Sequence, residues 1–337
     1  MRMVSAVHSS SRRAATLCAL ALVFAAALAV GAGVGAVRYP PEAIVRAALH
    51  PFGAGGADQV LWMLRFPRVL MAALVGAALS LAGALLQGML RNPLVDPYLT
   101  GASAGAACAV AVALVFGFAL PALPLVAFVA ALATAAFVAA LARTGSGISA
   151  ERLILAGVSL SALFAGVVTL VLVMAPPSST SLGILAWLGG SLSGRSWPEL
   201  SWAALYALVG AAAALSLAPA LNALRLGEER ARALGVNVDR AHWGILGSAA
   251  LLTAAAVSVS GMVGFVGLIV PHVARRMVGS DARWMLPACA LVGAILVVAA
   301  DALSRALVPP IELPLGVLLS LLGVPAFLYL AFHRRAA

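Results

Sequence analysis

Long apolar runs, broken at intervals by Pro, Gly or arginine, organise this chain from end to end. A helix needs about 20 mostly apolar residues to cross the hydrocarbon core of a bilayer. By that measure the chain carries ten candidate spans, at 14–36, 66–90, 98–118, 122–142, 152–174, 199–219, 242–261, 263–278, 284–305 and 314–332. The segment 263–278 is short and contains Pro271 and His272. The Gly-rich stretch LGILAWLGGSLSG (182–194) is too short to span and reads as an interfacial or re-entrant helix. The pattern predicts an all-α polytopic membrane protein, one transmembrane domain over residues 1–337 with about ten helices.

The first 36 residues have a basic start, an apolar stretch and a small-residue end, as a signal peptide does. The apolar stretch is longer than a typical signal core of about 7–15 residues. It is therefore read as an uncleaved first span, with cleavage the lesser alternative.

Composition agrees with the pattern. The chain is 64% hydrophobic and 9% charged, against about 25% charged in a soluble domain. All 21 basic residues are arginine, and the net charge is +10. They are scattered among apolar runs with no groove of interleaved aromatics, so nucleic-acid binding is excluded as the reason for them. With ten spans both termini lie on one side. Placing them in the cytoplasm leaves only Arg38, Arg46, Arg65, Arg68, Arg195 and Arg305 outside, as the positive-inside rule favours. Cys18, Cys108 and Cys289 all sit in apolar runs, with no metal or disulfide spacing.

Charge is concentrated in GEERARALGV (227–236), which this orientation puts in the longest cytoplasmic loop. The spacing predicts a short helix. Glu228 and Glu229 occupy its first turn, where the helix dipole favours acids. Glu228 and Arg232 form an i, i+4 pair, and Gly235 stands where a left-handed residue ends a helix. Ala231, Ala233, Leu234 and Val236 give it an apolar side. Such a helix suits docking on a soluble subunit; a merely solvated loop helix is the alternative.

Catalytic constellations are missing: there is no nucleotide-binding lysine loop, no GxSxG and no HExxH. Asp301 is the acid deepest in an apolar run. It sits four residues before Arg305, so either a local ion pair or a proton relay would account for it. In RNPLVDPYLTG (91–101), Pro93 and Pro97 stop the preceding helix and Asn92 suits a turn. Gly101 and Gly105 form a G-x-x-x-G, which lets helix backbones approach.

Four stretches in order, RFPR (65–68), GALLQGMLRNPLVDPYLTGASAGA (83–106), GFVGLIVPH (264–272) and ELPLGVLLSLLGVPAFLYLA (312–331), resemble the FecCD family. These are permeases of binding-protein-dependent, ATP-driven importers for ferric siderophores, haem and cobalamin. The resemblance covers residue 60 to the C-terminus and implies the ABC importer permease fold. It implies two copies around one central pathway, with spans two to five and seven to ten as inverted repeats. The implied partners are two ATP-binding subunits and a periplasmic substrate-binding protein, in a bacterial inner membrane. The chain would bind no cofactor and no metal, ATP being used by the partner subunit.

The resemblance also assigns residues. Cytoplasmic coupling helices would fall at about 221–240, with Glu228, Glu229, Arg232 and Gly235 transmitting nucleotide-driven motion. Arg65, Arg68 and Arg305 would receive acidic residues of the binding protein, snorkelling arginines being the alternative. The motif carries Phe66 where relatives have leucine, and both arginines are intact. A cytoplasmic gate is expected at Asn92 and Leu94, and in GSGISAE (145–151) at Ser149 and Glu151. There Ala150-Glu151 replaces the hydroxyl-rich pair of relatives. His272 reads as a structural hydrogen-bonding residue rather than a haem or metal ligand. The implied cargo is an iron chelate, haem or ferric siderophore, ahead of cobalamin. An ion-coupled secondary transporter is the competing class.

Overall fold

The computed structural model describes residues 10–35, 37–50, 56–144, 147–175, 179–309 and 311–332. Each of the ten expected spans is occupied by a helix: α1 (Ser10–Gly33), α4 (Phe66–Met89), α5 (Ala102–Val115), α6 (Leu123–Leu141), α7 (Ala150–Met174), α9 (Trp197–Ser216), α12 (Val238–Ser260), α13 (Val266–Val278), α14 (Ala282–Ala306) and α15 (Leu315–Phe332). The expected non-spanning helix is α8 (Ser179–Gly189). The short helices α2 (Pro41–Leu49) and α3 (Gly56–Val60), then a π turn at Leu61–Arg65, join α1 to α4. At the end of the bundle expected to be cytoplasmic lie α10 (Ala218–Leu224), α11 (Glu228–Ala233) and a two-residue antiparallel hairpin, β1 (Arg143–Thr144) with β2 (Gly147–Ile148).

Among the described residues, seven helical segments are long and apolar enough to cross a membrane alone. Two of the others fall short for a clear reason. Helix α5 has 14 residues and α13 has 13, about 20 Å at 1.5 Å per residue, against a core of about 30 Å. Span 98–118 is thus shorter than its apolar run. A 3-10 turn at Pro97–Thr100 precedes α5, and Gly101 takes φ 75 before the helix starts. Likewise α13 begins only after Phe265, which takes φ 68.

The two irregular segments lie against each other inside the bundle. Val263 N donates to Tyr98 Oη at 2.7 Å. Buried Gln87 on α4 donates through Nε2 to the carbonyls of Val95, Gly267 and Leu268 at 3.1, 3.1 and 3.2 Å. Non-helical backbone at membrane depth survives only where protein groups satisfy it; Gln87 does so at Val95, Tyr98 does so at Val263, and the other two bonds of Gln87 go to the first turn of α13.

Helix α4 is the centre of the bundle, packed by α14, α12, α13 and α9. A Cβ added at Gly83 would lie 2.0 Å from the Gly267 carbonyl oxygen, and one at Gly76 would lie 2.0 Å from that of Gly293. These contacts need glycine because backbone meets backbone, as small-residue packing in membranes allows.

Candidate functional site

The expected coupling segment holds two short helices, α10 and α11, and α11 is the one expected within 227–236. Helix α10 is anchored by Leu221 and Leu224, both essentially buried. Its Asn222 donates to Asp281 Oδ1 at 2.8 Å and accepts from Ala282 N at 2.8 Å, clasping the turn that starts α14. Asp281 also caps α14, accepting from Arg283 N at 3.1 Å. Partial burial alone would push the Asp281 carboxyl up. The hydrogen bonds from Asn222 and Arg283, with Arg283 and Arg13 nearby, outweigh it and hold the carboxyl below its ordinary range.

Gly227, at φ 108, turns the chain into α11. There Ala231 is fully buried, while Glu229, Arg232, Ala233 and Leu234 face outward. Glu228 pairs with Arg232 at 3.3 Å and lies 3.8 Å from Nε2 of His242. Gly235 closes the helix at φ 82, with open space where a side chain would stand. The segment is therefore pinned through Leu221, Asn222 and Ala231, and presents charge and Leu234 to the exterior.

The gate candidates flank this segment. Asn92 accepts from Leu94 N at 3.0 Å, closing a local turn with Leu94 exposed. Arg91 just before it takes φ 51, and its guanidinium lies beside Gly227. Ser149 caps α7, its Oγ accepting from Arg152 N at 3.3 Å, and Glu151 is exposed. The hairpin before Ser149 stands against α12, with Gly147 facing Asp239. Residues 145 and 146 of the expected gate stretch lie outside the described residues. The first gate loop thus meets the start of α11 and the second the start of α12.

At the opposite end the three candidate docking arginines gather in one network. Arg305 is 4% exposed. It donates to Asp301 Oδ2 at 3.1 Å through Nε, to the Gly31 carbonyl at 2.8 Å and to the Val34 carbonyl. Arg68 donates to Asp301 Oδ1 at 3.0 Å and to both carboxylate oxygens of Glu312 at 3.0 and 2.9 Å. Arg65 donates to the carbonyls of Val34 and Val37 at 2.6 and 3.2 Å and stands over the Tyr39 ring. Asp301 is held between two arginines with both oxygens engaged, which is the ion-pair alternative rather than the relay. Arg305 lies beneath the surface, while Arg65 and Arg68 are half-buried at it. Glu312 stands inside a quoted motif, but its pairing across 244 residues of sequence left no local signal. The bracing role of Gln87 was equally invisible in the sequence.

His272 sits within α13, and no group of three or more His, Cys, Asp or Glu able to hold a metal occurs among the described residues.

Comparison with known proteins follows the same lines. The chain is 43% identical to the hemin transport system permease protein of Yersinia pestis over 282 residues, covering 82% of this chain and 84% of that one. It is 39% identical to the cobalamin import system permease protein of Halobacterium salinarum over 306 residues, covering 89% and 81%. A solved structure described as an inward-facing conformation of a metal-chelate type ABC transporter superposes with a TM-score of 0.83 at 34% identity, covering 94% and 98%. The profile of the FecCD transport family matches residues 19–333, reaching back into the first span, and the chain belongs to that family of membrane permeases.

Proposed function

We propose that this chain is the transmembrane permease subunit of an ATP-driven importer, with two copies enclosing one pathway in a bacterial inner membrane and both termini in the cytoplasm. The observation that carries it is the pinned segment 221–240. Its inner side is fixed to α14 through Asn222 and Asp281, and its outer side displays Glu229, Arg232 and Leu234. A separate ATP-binding subunit docks there, and Glu228, Glu229, Arg232 and Gly235 carry its motion to the gate loops at Asn92, Leu94, Ser149 and Glu151. Arg65 and Arg68 receive acidic residues of a periplasmic binding protein, with Arg305 fixing Asp301 beneath them.

The pathway side is supported by α7. Its exposed Ser159, Ala162, Gly166 and Thr169 recur at three- and four-residue spacing on one stripe, a surface suited to close contact with a second copy or to a weakly polar path. The cargo is an iron chelate, haem or a ferric siderophore. Cobalamin is the second reading, favoured by the 39% identity to a cobalamin permease.

The test is growth of an iron-starved deletion strain on haem or a ferric siderophore as sole iron source, with cobalamin-dependent growth scored in parallel. Failure on one source, restored by the wild type and not by Gly235→Asp, identifies the cargo and supports coupling through this segment. Gly235→Asp forces a side chain into a left-handed residue at the coupling segment. Unimpaired growth on all three, with no redundant importer present, overturns the import reading.

A further inference from the structure

Three arginines from three elements converge on one cavity at the inner end of the bundle. The cavity has a volume of about 270 Å³, and its lining includes Gln87, Arg91, Pro93, Arg225, Arg275 and Met285. Arg91 follows α4, Arg225 follows α10 and Arg275 lies in α13. No carboxylate is among the lining residues. At the outer arginines, Asp301 and Glu312 stand within the same cluster as Arg68 and Arg305. Asp281 is the acid that acts on Arg225, but it is already held by Asn222, by Arg283 N and by Arg13 at 3.9 Å.

Topogenic arginines need only point to water, and like charges gain by spreading apart. These are held together instead. Arg275 donates to Gln87 Oε1 at 2.6 Å, and Gln87 is itself fixed by three carbonyls. Arg225 donates to the Ser280 carbonyl. Arg91 adopts φ 51, a left-handed conformation uncommon outside glycine. Strained residues of this kind cluster at ligand clamps.

We propose that this cavity binds a phosphate group, either the headgroup phosphate of an anionic inner-leaflet lipid or free phosphate. Guanidinium forks match phosphate oxygens in geometry and charge, and basic pockets between helices on the cytoplasmic side suit anionic headgroups. A Cβ at Gly227 would lie 3.7 Å from Arg91 Nη1, so the bound phosphate joins α4, α10 and α13 to the residue that opens α11. The site is independent of the cargo and rests only on the orientation given by the arginine distribution.

The full chain is equilibrated with mixed phosphatidylglycerol and phosphatidylcholine vesicles, and its retained lipid is read by native mass spectrometry. Wild type should retain phosphatidylglycerol roughly tenfold over phosphatidylcholine. Arg91→Gln with Arg225→Gln should lose the preference, and Arg240→Gln, an exposed arginine outside the cavity, should keep it. Arg225→Lys, which keeps charge and loses the fork, should fall between and serves if the double variant does not fold. In phosphatidylcholine alone, inorganic phosphate is titrated against chloride at matched ionic strength. A rise in melting temperature abolished by the same variants assigns free phosphate as the source. Absence of any variant-sensitive effect in both arms overturns the proposal. Displacement of the lipid by the ATP-binding subunit, with the double variant failing to bind that subunit, also overturns it and makes the occupant protein.

Discussion

The segment that contains α4 and the helix α7 have the same mean hydropathy, 2.3, and opposite surroundings. In the first, 83% of the most apolar window is buried within the protomer; in α7 the figure is 11%. Helix α4 packs mainly on α14, α12, α13 and α9, whereas α7 packs mainly on α5, α6 and the Pro97–Thr100 turn. Its Leu155, Leu163, Leu170 and Val173 stay exposed. In water such a face would be a liability; in a bilayer it is solvated by lipid and is free to meet a second copy. Hydropathy therefore reports entry into the membrane and says nothing about centre or rim. Close backbone approach occurs on both but differs in extent: Gly76 and Gly83 of α4 touch the backbones of α14 and α13, whereas α7 makes one such contact, Gly157 against the Leu99 carbonyl, and its Gly166 has nothing within 4 Å.

The sharpest way to break this contrast is the same substitution in both helices. Gly83→Val drives a side chain into the Gly267 carbonyl and should cost at least about 3 kcal/mol, the upper end of usual overpacking penalties. Folded, monodisperse protein in detergent should be lost. A Gly83→Val protein that melts like the wild type would show that α4 does not need the close approach.

Next in size is Asp301→Asn, which cuts the outer tie between α4 and α14. The Arg305 side chain is 4% exposed and the Asp301 side chain 2%. Removing the carboxylate from such a pair costs about 3–5 kcal/mol. The melting temperature of the purified chain should fall accordingly, and an unchanged one would mean that the network is not a structural brace.

On the other side of the comparison, Gly166→Val should alter protomer stability by no more than about 0.5 kcal/mol, as for surface positions. Uptake by proteoliposomes should nevertheless fall if α7 lines the contact or the path between copies. Full uptake with the variant would return α7 to a plain lipid-facing role.

The smallest effect is expected at Asp281, which starts the helix packed on α4. Its carboxyl is held below the ordinary range when folded. The stability it contributes is present above the unfolded value of about 3.9 and is lost as pH falls through the folded one. The wild type should therefore lose melting temperature in acid more steeply than Asp281→Asn; parallel curves would show that the capping carboxylate contributes nothing.

Much of the fold was legible because each span must pair its backbone within itself, so a run of apolar residues is already nearly a structure. The failures are at 98–101 and 263–265, where the chain is not α-helical. The two stretches meet where Val263 N donates to Tyr98 Oη, 165 residues away in sequence, and Gln87 braces the carbonyls of Val95, Gly267 and Leu268 beside them. At the inner end, the Glu228–Arg232 pair and the stop at Gly235 were local, and i, i+4 spacing sufficed to expect them. The link from Asn222 to Asp281 spans 59 residues and carried no periodic signal. The outer arginines were visible as violations of charge asymmetry, but not that Arg305 would be buried or that Glu312 would answer Arg68.

By itself, then, the sequence determined the membrane solvent, a helix in each of the ten apolar runs and the charged segment 227–236. Each of these follows from interactions within one helix or between one helix and lipid. The tertiary structure alone decided that α4 is central and α7 peripheral, that Asp301 is clamped between Arg68 and Arg305, and that Arg91, Arg225 and Arg275 share one cavity. Those outcomes depend on which helices approach closely enough for backbones and side chains to meet. That choice is made by shape and by long-range hydrogen bonding, which hydropathy does not encode.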